Sequence, residues 1–348
     1  MAPLSPTLPA SPRGGVQPRL RPADPATLLG WHTRFAVNPS ALAALPTMTH
    51  QLTLDGVPGG LGFQRRGRVF VSTGEPLAAA SDWAALATAL FTLAVNLEAV
   101  PCFAPVGAEF ADILGDLGMT TVRVGSAPYI HLRDWPPTGK AGAEVRQTRH
   151  RAERDGLVFR AAPARRPAWV AEVETLAGTW LEGRRAGVPF HWIFSLQPMA
   201  YAEHKQYFEA RLSGQLVGLV AASPLAGRGG WYLEDVVRSP SAPASTGAAL
   251  VACALTELRA QGVSIATLGG VPLSRERSWE HDEVTPLEWV AYGLRPLLTP
   301  LYSFDGLERF KSRFTPAHWE NEYVALPPGL RSKAATARAL VRLILQGR

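Results

Sequence analysis

Cysteine and lysine are both scarce in this chain, which holds two Cys and four Lys among 348 residues. Cys102 and Cys253 lie in the apolar runs VPCFAPV and LVACALTEL, where a small buried side chain is the expected role. Two such cysteines provide neither a disulfide framework nor a zinc-binding spacing, which favours a reducing, intracellular compartment. The eight His are scattered without metal-ligand spacing, so neither a metal nor a cofactor is predicted.

Long uninterrupted apolar runs are also missing, although 47% of the residues are hydrophobic. The most apolar stretch starts at Trp83, but Asn96, Glu98 and Pro101 interrupt it. A membrane helix needs about 20 consecutive apolar residues, and the N-terminus has no apolar segment typical of a signal peptide. We therefore expect a cytoplasmic protein, either free or held peripherally at the inner face of the membrane.

The length and the order of predicted elements favour two domains. Residues 1–24 are rich in proline and are predicted to be a disordered tail. Strands alternate with helices after this tail, and the second half reads strand–strand–strand–helix–strand, which is similar to the core of the GNAT acetyltransferase fold. We expect an α/β (α+β) chain of two tandem GNAT-like domains at residues 25–139 and 140–328, followed by a basic amphipathic helix at residues 329–348.

The segment LEDVVRSPSAPASTGAAL places Asp235 and Arg238 three residues apart near the end of a strand. Asp235 can meet a substrate ammonium or take a proton, and Arg238 can hold a phosphate or a carboxylate. A mutual salt bridge is the alternative. A helix then starts at Ser245-Thr246-Gly247, where free N–H groups suit an anion, although the same residues serve as an ordinary cap in many proteins. The Gln/Arg-x-x-Gly-x-Gly/Ala turn that holds CoA pyrophosphate in this fold is absent, so a different acyl donor is expected.

Two later segments supply further candidates. In LGGVPLSRERSW, Gly270 permits close backbone approach and Ser274 can contact a substrate, while a plain tight turn is the alternative. The segment LYSFDGLERFKSRFTPAHW is dense in aromatic residues and cations. There, Lys311 can donate to a phosphate or to developing negative charge on oxygen, with Tyr302 and Arg313 as substrate contacts. The alternative is a short helix that buries its Phe residues and exposes its cations.

These motifs resemble the C-terminal catalytic domain of phosphatidylglycerol lysyltransferases, the multiple peptide resistance factor family. DVVR with a following AP, LGGVPLS and LYSFDGLERFKSRFTPAHW carry the resemblance. Upstream, FVSTGEPLAA is similar to that domain's glycine-and-acid turn. VRVGSAPYIHLRDWPPTGKAGAEVRQTRHRAERDGLVF is similar to its linker strand and Arg-rich helix. The resemblance covers the chain from Trp31 to Pro327.

The resemblance implies two tandem GNAT-like folds that move an amino acid from aminoacyl-tRNA to a lipid hydroxyl, such as that of phosphatidylglycerol. It implies that Asp235 meets the α-amino group or assists proton transfer, and that Arg238 and Lys311 bind phosphate or stabilise the carbonyl oxygen. An aminoacyl ester is already activated, so positioning and an electrostatic clamp suffice. One departure is visible, because Asn321-Glu322-Tyr323 stands where the family commonly has Pro-Arg-Tyr.

Two basic segments suit polyanionic partners. The predicted helix that carries Arg146, Arg149 and Arg154 fits the phosphates of tRNA; the alternative is a solvated helix face balanced by acidic residues. The basic C-terminal helix either lies on an anionic membrane surface or packs onto the body of the protein. Two other functions stay open, a CoA-dependent N-acyltransferase and a non-catalytic tandem GNAT binding protein. The amino acid, the acceptor and the oligomeric state do not follow from the sequence.

Overall fold

The computed structural model describes residues 18–140, 142–162, 166–183, 192–276, 288, 292–293, 295 and 303–346. Thirteen strands in this part of the chain form one mixed sheet in the order β1-β2-β3-β4-β5-β13-β6-β11-β10-β9-β8-β7, with β12 paired to β6. The strands are β1 Pro18–Pro22, β2 His50–Leu54, β3 Leu61–Arg66, β4 Val69–Ser72, β5 Val100–Val106, β6 Thr120–His131, β7 Leu157–Ala161, β8 Gln206–Leu212, β9 Gln215–Leu225, β10 Gly230–Arg238, β11 Ile265–Thr267, β12 Val271–Pro272 and β13 His318–Leu326.

Helices cover both faces of this sheet, as expected for an α/β chain. They are α1 Pro25–Phe35, α2 Ala41–Ala44, α3 Trp83–Asn96, α4 Ala108–Asp116, α5 Ala143–Arg154, α6 Pro167–Glu182, α7 Thr246–Ala260, α8 Phe304–Ser312 and α9 Leu330–Gln346. The predicted α/β class is confirmed by this mixed architecture.

The two halves of the sheet repeat one pattern of strand pairing. Strands β1 to β4 run antiparallel, and β4 then pairs in parallel with β5 after the crossover helix α3. Strands β7 to β10 also run antiparallel, and β10 pairs in parallel with β11 after the crossover helix α7. A parallel neighbour cannot be reached by a hairpin, so each half needs its helix at this point.

The central strands are exchanged between the halves. β13, from the end of the chain, lies between β5 and β6 and completes the sheet of the first half. β6, from the first half, lies between β13 and β11 and completes the sheet of the second half. The two predicted domains therefore share one continuous sheet, and each half depends on a strand from the other for its core.

The two faces of the sheet carry different helices. Phe103 of β5 and Ala325 of β13 point to the face that α3 and α4 cover, and Leu250 of α7 lies in the corresponding core of the second half. Cys102 of β5 points to the opposite face, where α9 packs. In the second half, α6 covers this opposite face, with Trp169 against β8 and β9. We call the face under α6 and α9 the α6 face.

The turn between β8 and β9 and the two cysteines agree with their local sequence. Ser213 and Gly214 form the hairpin turn between β8 and β9, and both have positive φ, +50° and +84°, which matches the twist of the flanking strands. Cys102 and Cys253 are free and buried. Among the described residues, no helix is both long and apolar enough to cross a membrane.

The tail predicted to lack structure behaves differently from Pro18 onward. Residues 1–17 lie outside the described part of the chain, but Pro18–Pro22 pairs along its whole length with β2. Proline cannot donate a ladder hydrogen bond, yet an edge strand has one side without a partner strand and therefore tolerates it. Asp24 then caps α1, since its carboxylate accepts from the Thr27 amide at 3.0 Å.

Candidate active site

The exchanged strands β6 and β13 carry a row of polar side chains on the α6 face. The register places His318 opposite Tyr129, and their rings stack with centroids 5.5 Å apart and planes 7° from parallel. Residues two apart on a strand share a face, so Glu320 and Glu322 follow His318 along the same side. Glu320 lies within 3.2 Å of the His318 ring nitrogen Nε2.

Arg228 closes one side of this row. It ends the short 3-10 helix Ala226–Arg228 between β9 and β10. Its guanidinium forms a bidentate pair with Glu320, 2.8 Å to each carboxylate oxygen, and Nε donates to the Val37 carbonyl at 2.9 Å. The guanidinium also lies 4.8 Å from the centre of the Tyr129 ring. A bidentate pair with a further backbone contact fixes the guanidinium rigidly.

Lys311 enters the same region from the C-terminal turn of α8. Its side chain is buried, with 7% of the residue exposed. Nζ donates to the carbonyls of Gly269 and Gly270 at 2.7 and 2.9 Å. Burial lowers the pKa of Lys311 from 10.5 to about 7, and the Glu322 carboxylate opposes that fall. Two of the three ammonium protons are therefore used to hold the side chain in place.

The Glu322 carboxylate lies against Gly270, whose carbonyl binds Lys311, because Gly270 has no side chain. A Cβ at Gly270 would lie 2.0 Å from Oε2 of Glu322, so any larger residue would displace the carboxylate. Burial raises the pKa of Glu322 to about 7, while Lys311 opposes the rise and the carboxylate of Glu75 adds to it. Oε1 of Glu322 is buried and has no hydrogen-bond partner among the described residues. Lys311 and Glu322 therefore both have a pKa of about 7, and each charge favours the charged form of the other.

Glu75 supplies a third carboxylate. It follows β4, and its Oε1 accepts from the amide of Gly107 at 2.6 Å, just before α4 begins. Its Oε2 is buried without a hydrogen-bond partner among the described residues, and only 7% of Glu75 is exposed. Burial raises the pKa of this carboxyl above its usual range. Buried carboxylate oxygens that lack donors are suited to receive a cationic group.

The grouped residues form what we call the central cluster: Glu75, Tyr129, Arg228, Lys311, Glu320 and Glu322. Tyr129 is coupled electrostatically to Arg228 and to all three carboxylates, and burial raises its pKa. Two cations and three carboxylates, all buried or half-buried in one place and two of them with a pKa of about 7, are a typical sign of a functional site.

Asp235 and Arg238 lie on β10, and their contacts are outside the central cluster. Burial raises the pKa of Asp235 to about 8, and the neighbouring carboxylate of Glu234 adds to this. Glu234 itself pairs with the buried amine of Lys205. Arg238 donates to the carbonyls of Ser239 and Ala242 at 3.3 and 2.7 Å. Asp235 and Arg238 are both described in the structure and form no ion pair with each other. The alternative prediction of a mutual salt bridge is therefore wrong.

The remaining substrate candidates are dispersed. Gly247 lies in the first turn of α7, and Ser274 is fully buried with its hydroxyl bonded to Glu308 at 2.8 Å. Arg313 pairs with Glu144 of α5 at 3.1 Å. Tyr302 lies outside the described residues. Among the described residues proposed from the sequence, Gly270 and Lys311 are the only two joined by a hydrogen bond.

The arginines predicted to meet tRNA are exposed along α5. Arg146 donates to the carbonyls of Pro137 and Gly139 at 2.7 and 2.8 Å and so also holds the preceding loop. Arg149 pairs with Glu153 at 2.9 Å, one helical turn away. Arg154 lies at the C-terminal end of the helix, where Nε is 3.4 Å from the His150 carbonyl.

Sequence reasoning missed part of the central cluster. The sequence alone does not single out Tyr129, Arg228 or Glu320. It presents Glu75 only as part of a motif, and Glu322 only as a departure from the family pattern. One signal was available: ionisable residues stand at every second position of His318-Trp319-Glu320-Asn321-Glu322, a segment that becomes a central strand. Ionisable residues on one face of a buried strand need partners.

The comparisons with known proteins agree with the fold. A family model described as the C-terminal part of phosphatidylglycerol lysyltransferase matches residues 57–326. The C-terminal domain of a putative lysylphosphatidylglycerol synthetase from Agrobacterium fabrum superposes with a TM-score of 0.78 at 18% identity, covering 93% of this chain and 99% of that one. L-PGS from Bacillus licheniformis gives 0.75 at 19% identity, with 94% and 98% covered. The comparison with curated proteins gives no match.

Both solved structures share the fold of this chain, and the family match spans more than half of it. The strand pattern repeated in the two halves confirms the tandem GNAT-like architecture expected from the order of elements. The resemblance seen in the motifs is confirmed as well, and the chain belongs to the phosphatidylglycerol lysyltransferase C-terminal family and is an acyltransferase.

Proposed function

We propose that this protein transfers an aminoacyl group from aminoacyl-tRNA to a hydroxyl of an anionic lipid such as phosphatidylglycerol, with the central cluster as its reaction site. Membership of the family supports lipid aminoacylation in general. The observation that carries the proposal is that Lys311 and Glu322 both contact Gly270. Its carbonyl binds the Lys311 amine, and its missing side chain makes room for the Glu322 carboxylate, whose pKa is about 7.

The proposed reaction moves one proton, in two steps, from the lipid hydroxyl to the ribose oxygen of the tRNA. The lipid hydroxyl oxygen attacks the ester carbonyl carbon, a new C–O bond forms, and the bond to the ribose oxygen of the tRNA breaks. Glu322 takes the hydroxyl proton and returns it to the departing ribose oxygen, so atoms and charge balance. A base with a pKa of about 7 suits this task at neutral pH. Lys311, held by two backbone carbonyls, offers its remaining N–H to the developing oxyanion.

The free carboxylate oxygens suggest how the aminoacyl group is recognised. Oε2 of Glu75 and Oε1 of Glu322 are buried acceptors without donors among the described residues, and an ammonium group would satisfy both. Asp235 remains a second candidate for the α-amino group, and Arg238 a candidate for a phosphate, as proposed from the sequence. Their observed contacts lie apart from the central cluster, so mutagenesis of Asp235 and Arg238 is the test of both roles.

The donor and the cellular location complete the proposal. The exposed arginines of α5 support binding to tRNA phosphates, which contribute salt-dependent affinity without reading sequence. An anionic lipid acceptor favours a cytoplasmic protein that works peripherally at the inner face of the membrane. A CoA donor is less suitable, because the segment between β10 and α7 lacks the glycine turn for pyrophosphate, and Thr246 at the start of α7 is fully buried.

The test incubates the protein with a mixture of radiolabelled aminoacyl-tRNAs and phosphatidylglycerol vesicles, followed by organic extraction. We expect label in the lipid phase, dependent on both substrates, and its loss in Glu322→Gln. Glu98→Gln, at an exposed carboxylate paired with Arg68, is the control variant. Label that appears only with acyl-CoA, or label unaffected by Glu322→Gln, would contradict the proposal.

A further inference from the structure

Helix α9 is apolar on two opposite sides. One side packs on the α6 face of the sheet, where Ala339 and Leu343 are buried against Val71 and Cys102. The opposite side is a stripe at spacings of four, three, four and four residues: Leu330, Ala334, Ala337, Val341 and Leu345, all exposed. A helix that is apolar on opposite sides normally has a partner on each.

The exposed stripe is the more unusual of the two. Leu330 is 83% exposed, Val341 53% and Leu345 42%. These three account for three of the eight large hydrophobic residues that are exposed in the described part of the chain, within a single helix of 17 residues. Isolated exposed hydrophobic residues are ordinary, but a contiguous row of them marks an interaction surface.

Charge distinguishes between the partners that this stripe can take. The helix contains no Asp or Glu, although the chain has 29, and it carries Arg331, Lys333, Arg338 and Arg342. At 100° per residue, the three arginines flank one edge of the apolar stripe and Lys333 lies near the other. Apolar residues between rows of cations are typical of helices that lie in the interface of an anionic bilayer. An RNA partner would need the cations of this helix but would give no reason for the exposed leucines and valine.

We propose that the outward side of α9 docks this protein on an anionic lipid bilayer, with the apolar stripe inserted among the acyl chains and the arginines at the headgroups. The inference does not depend on the acyl transfer proposed above. It adds to it, because α9 packs on the same face of the sheet that carries the central cluster, so docking and the reaction site share one side of the molecule.

The test is flotation of the full chain with vesicles of phosphatidylcholine alone or with roughly a third of phosphatidylglycerol. We expect binding to the anionic vesicles, weakened at high salt, and at least tenfold weaker binding to neutral ones. The double variant Val341→Glu with Leu345→Glu should lower binding at least tenfold. Val95→Glu, at a position 52% exposed on α3, is the matched control and should leave it unchanged. Arg338→Ala and Arg342→Ala should each weaken binding about fivefold, the equivalent of about 1 kcal/mol per arginine.

All these substitutions lie on exposed positions, so melting temperatures should match the wild type. Three results would overturn the proposal. The first is no binding to anionic vesicles, or binding that Val341→Glu with Leu345→Glu leaves intact. The second is a wild-type dimer in light scattering that this double variant dissociates without any loss of vesicle binding. The third is that Arg338→Ala weakens binding to tRNA while vesicle binding stays unchanged.

Discussion

Replacing Lys311 by methionine separates a role in the reaction from a role in the architecture. Met has a similar length and no charge, so Lys311→Met removes the ammonium while leaving little empty volume. The variant loses two hydrogen bonds from a charged donor to the Gly269 and Gly270 carbonyls. Each such bond contributes about 1.5–3 kcal/mol to stability.

A second effect opposes this loss. Burial lowers the pKa of Lys311 from 10.5 to about 7, and at about 1.4 kcal/mol per tenfold change this makes the buried ammonium about 5 kcal/mol less favourable than one in water. The two effects nearly cancel, so we expect the free energy of unfolding to change by less than about 2 kcal/mol at pH 7. Turnover should fall by about 10²–10³-fold, the usual result of losing a preorganised donor to an oxyanion.

The stability of Lys311→Met and that of the wild type should depend differently on pH. Between pH 7 and 10.5 the unfolded chain keeps a proton on Lys311 that the folded chain has released, so wild-type stability rises with pH in this range. The variant lacks this rise. Its stability relative to wild type should be most favourable below pH 7 and should decline toward pH 10.5, as followed by melting temperature.

A second buried lysine provides the contrast. Lys205 also donates to a backbone carbonyl, that of Gln197 at 3.0 Å, but it is ion-paired with the buried Glu234. Lys205→Met should therefore destabilise the protein by about 3–5 kcal/mol, because a buried carboxylate is left without its partner. Wild-type turnover in Lys311→Met would refute the role of Lys311 in the reaction. Destabilisation equal to that of Lys205→Met would refute the account of its burial.

Three further predictions concern the same site and its donor. Glu75→Gln removes a carboxylate that contributes to the raised pKa of Glu322. The acidic limb of the pH profile of kcat/KM should therefore move to lower pH. An acidic limb at unchanged pH would argue against Glu322 as the base. Gly270→Ala should abolish activity, because the added Cβ would lie 2.0 Å from the Glu322 carboxylate. Gly247→Ala should keep its activity, because the nearest atom to the added Cβ lies 3.8 Å away. Equal turnover in the two variants would contradict this prediction. Calorimetry should detect no acetyl-CoA binding, and micromolar affinity would favour the CoA-dependent alternative.

Much of the fold could be predicted because local signals agreed with the final structure. The hairpin at Ser213-Gly214 follows from turn residues that accept positive φ, and the order of elements around α7 follows from hydrophobic periodicity. The motif around Lys311 predicted the family, which the comparison confirms. Burial of Cys102 and Cys253 followed from their apolar surroundings. Each of these properties depends on residues close together in the chain.

Only the tertiary structure decided which strands meet and which charges face one another. The pairing of β6 with β13 joins His318 to Tyr129, residues nearly 190 positions apart, and the exchange of these strands between halves has no local signal. Ionisable residues at alternate positions of β13 indicate a shared face for Glu320 and Glu322. They do not indicate that Arg228 pairs with Glu320 or that the charge of Lys311 acts on Glu322. Glu322 departs from the family pattern in sequence, yet in the structure its charge acts on the buried Lys311. The space that Gly270 leaves for its carboxylate depends on backbone positions in separate segments of the chain.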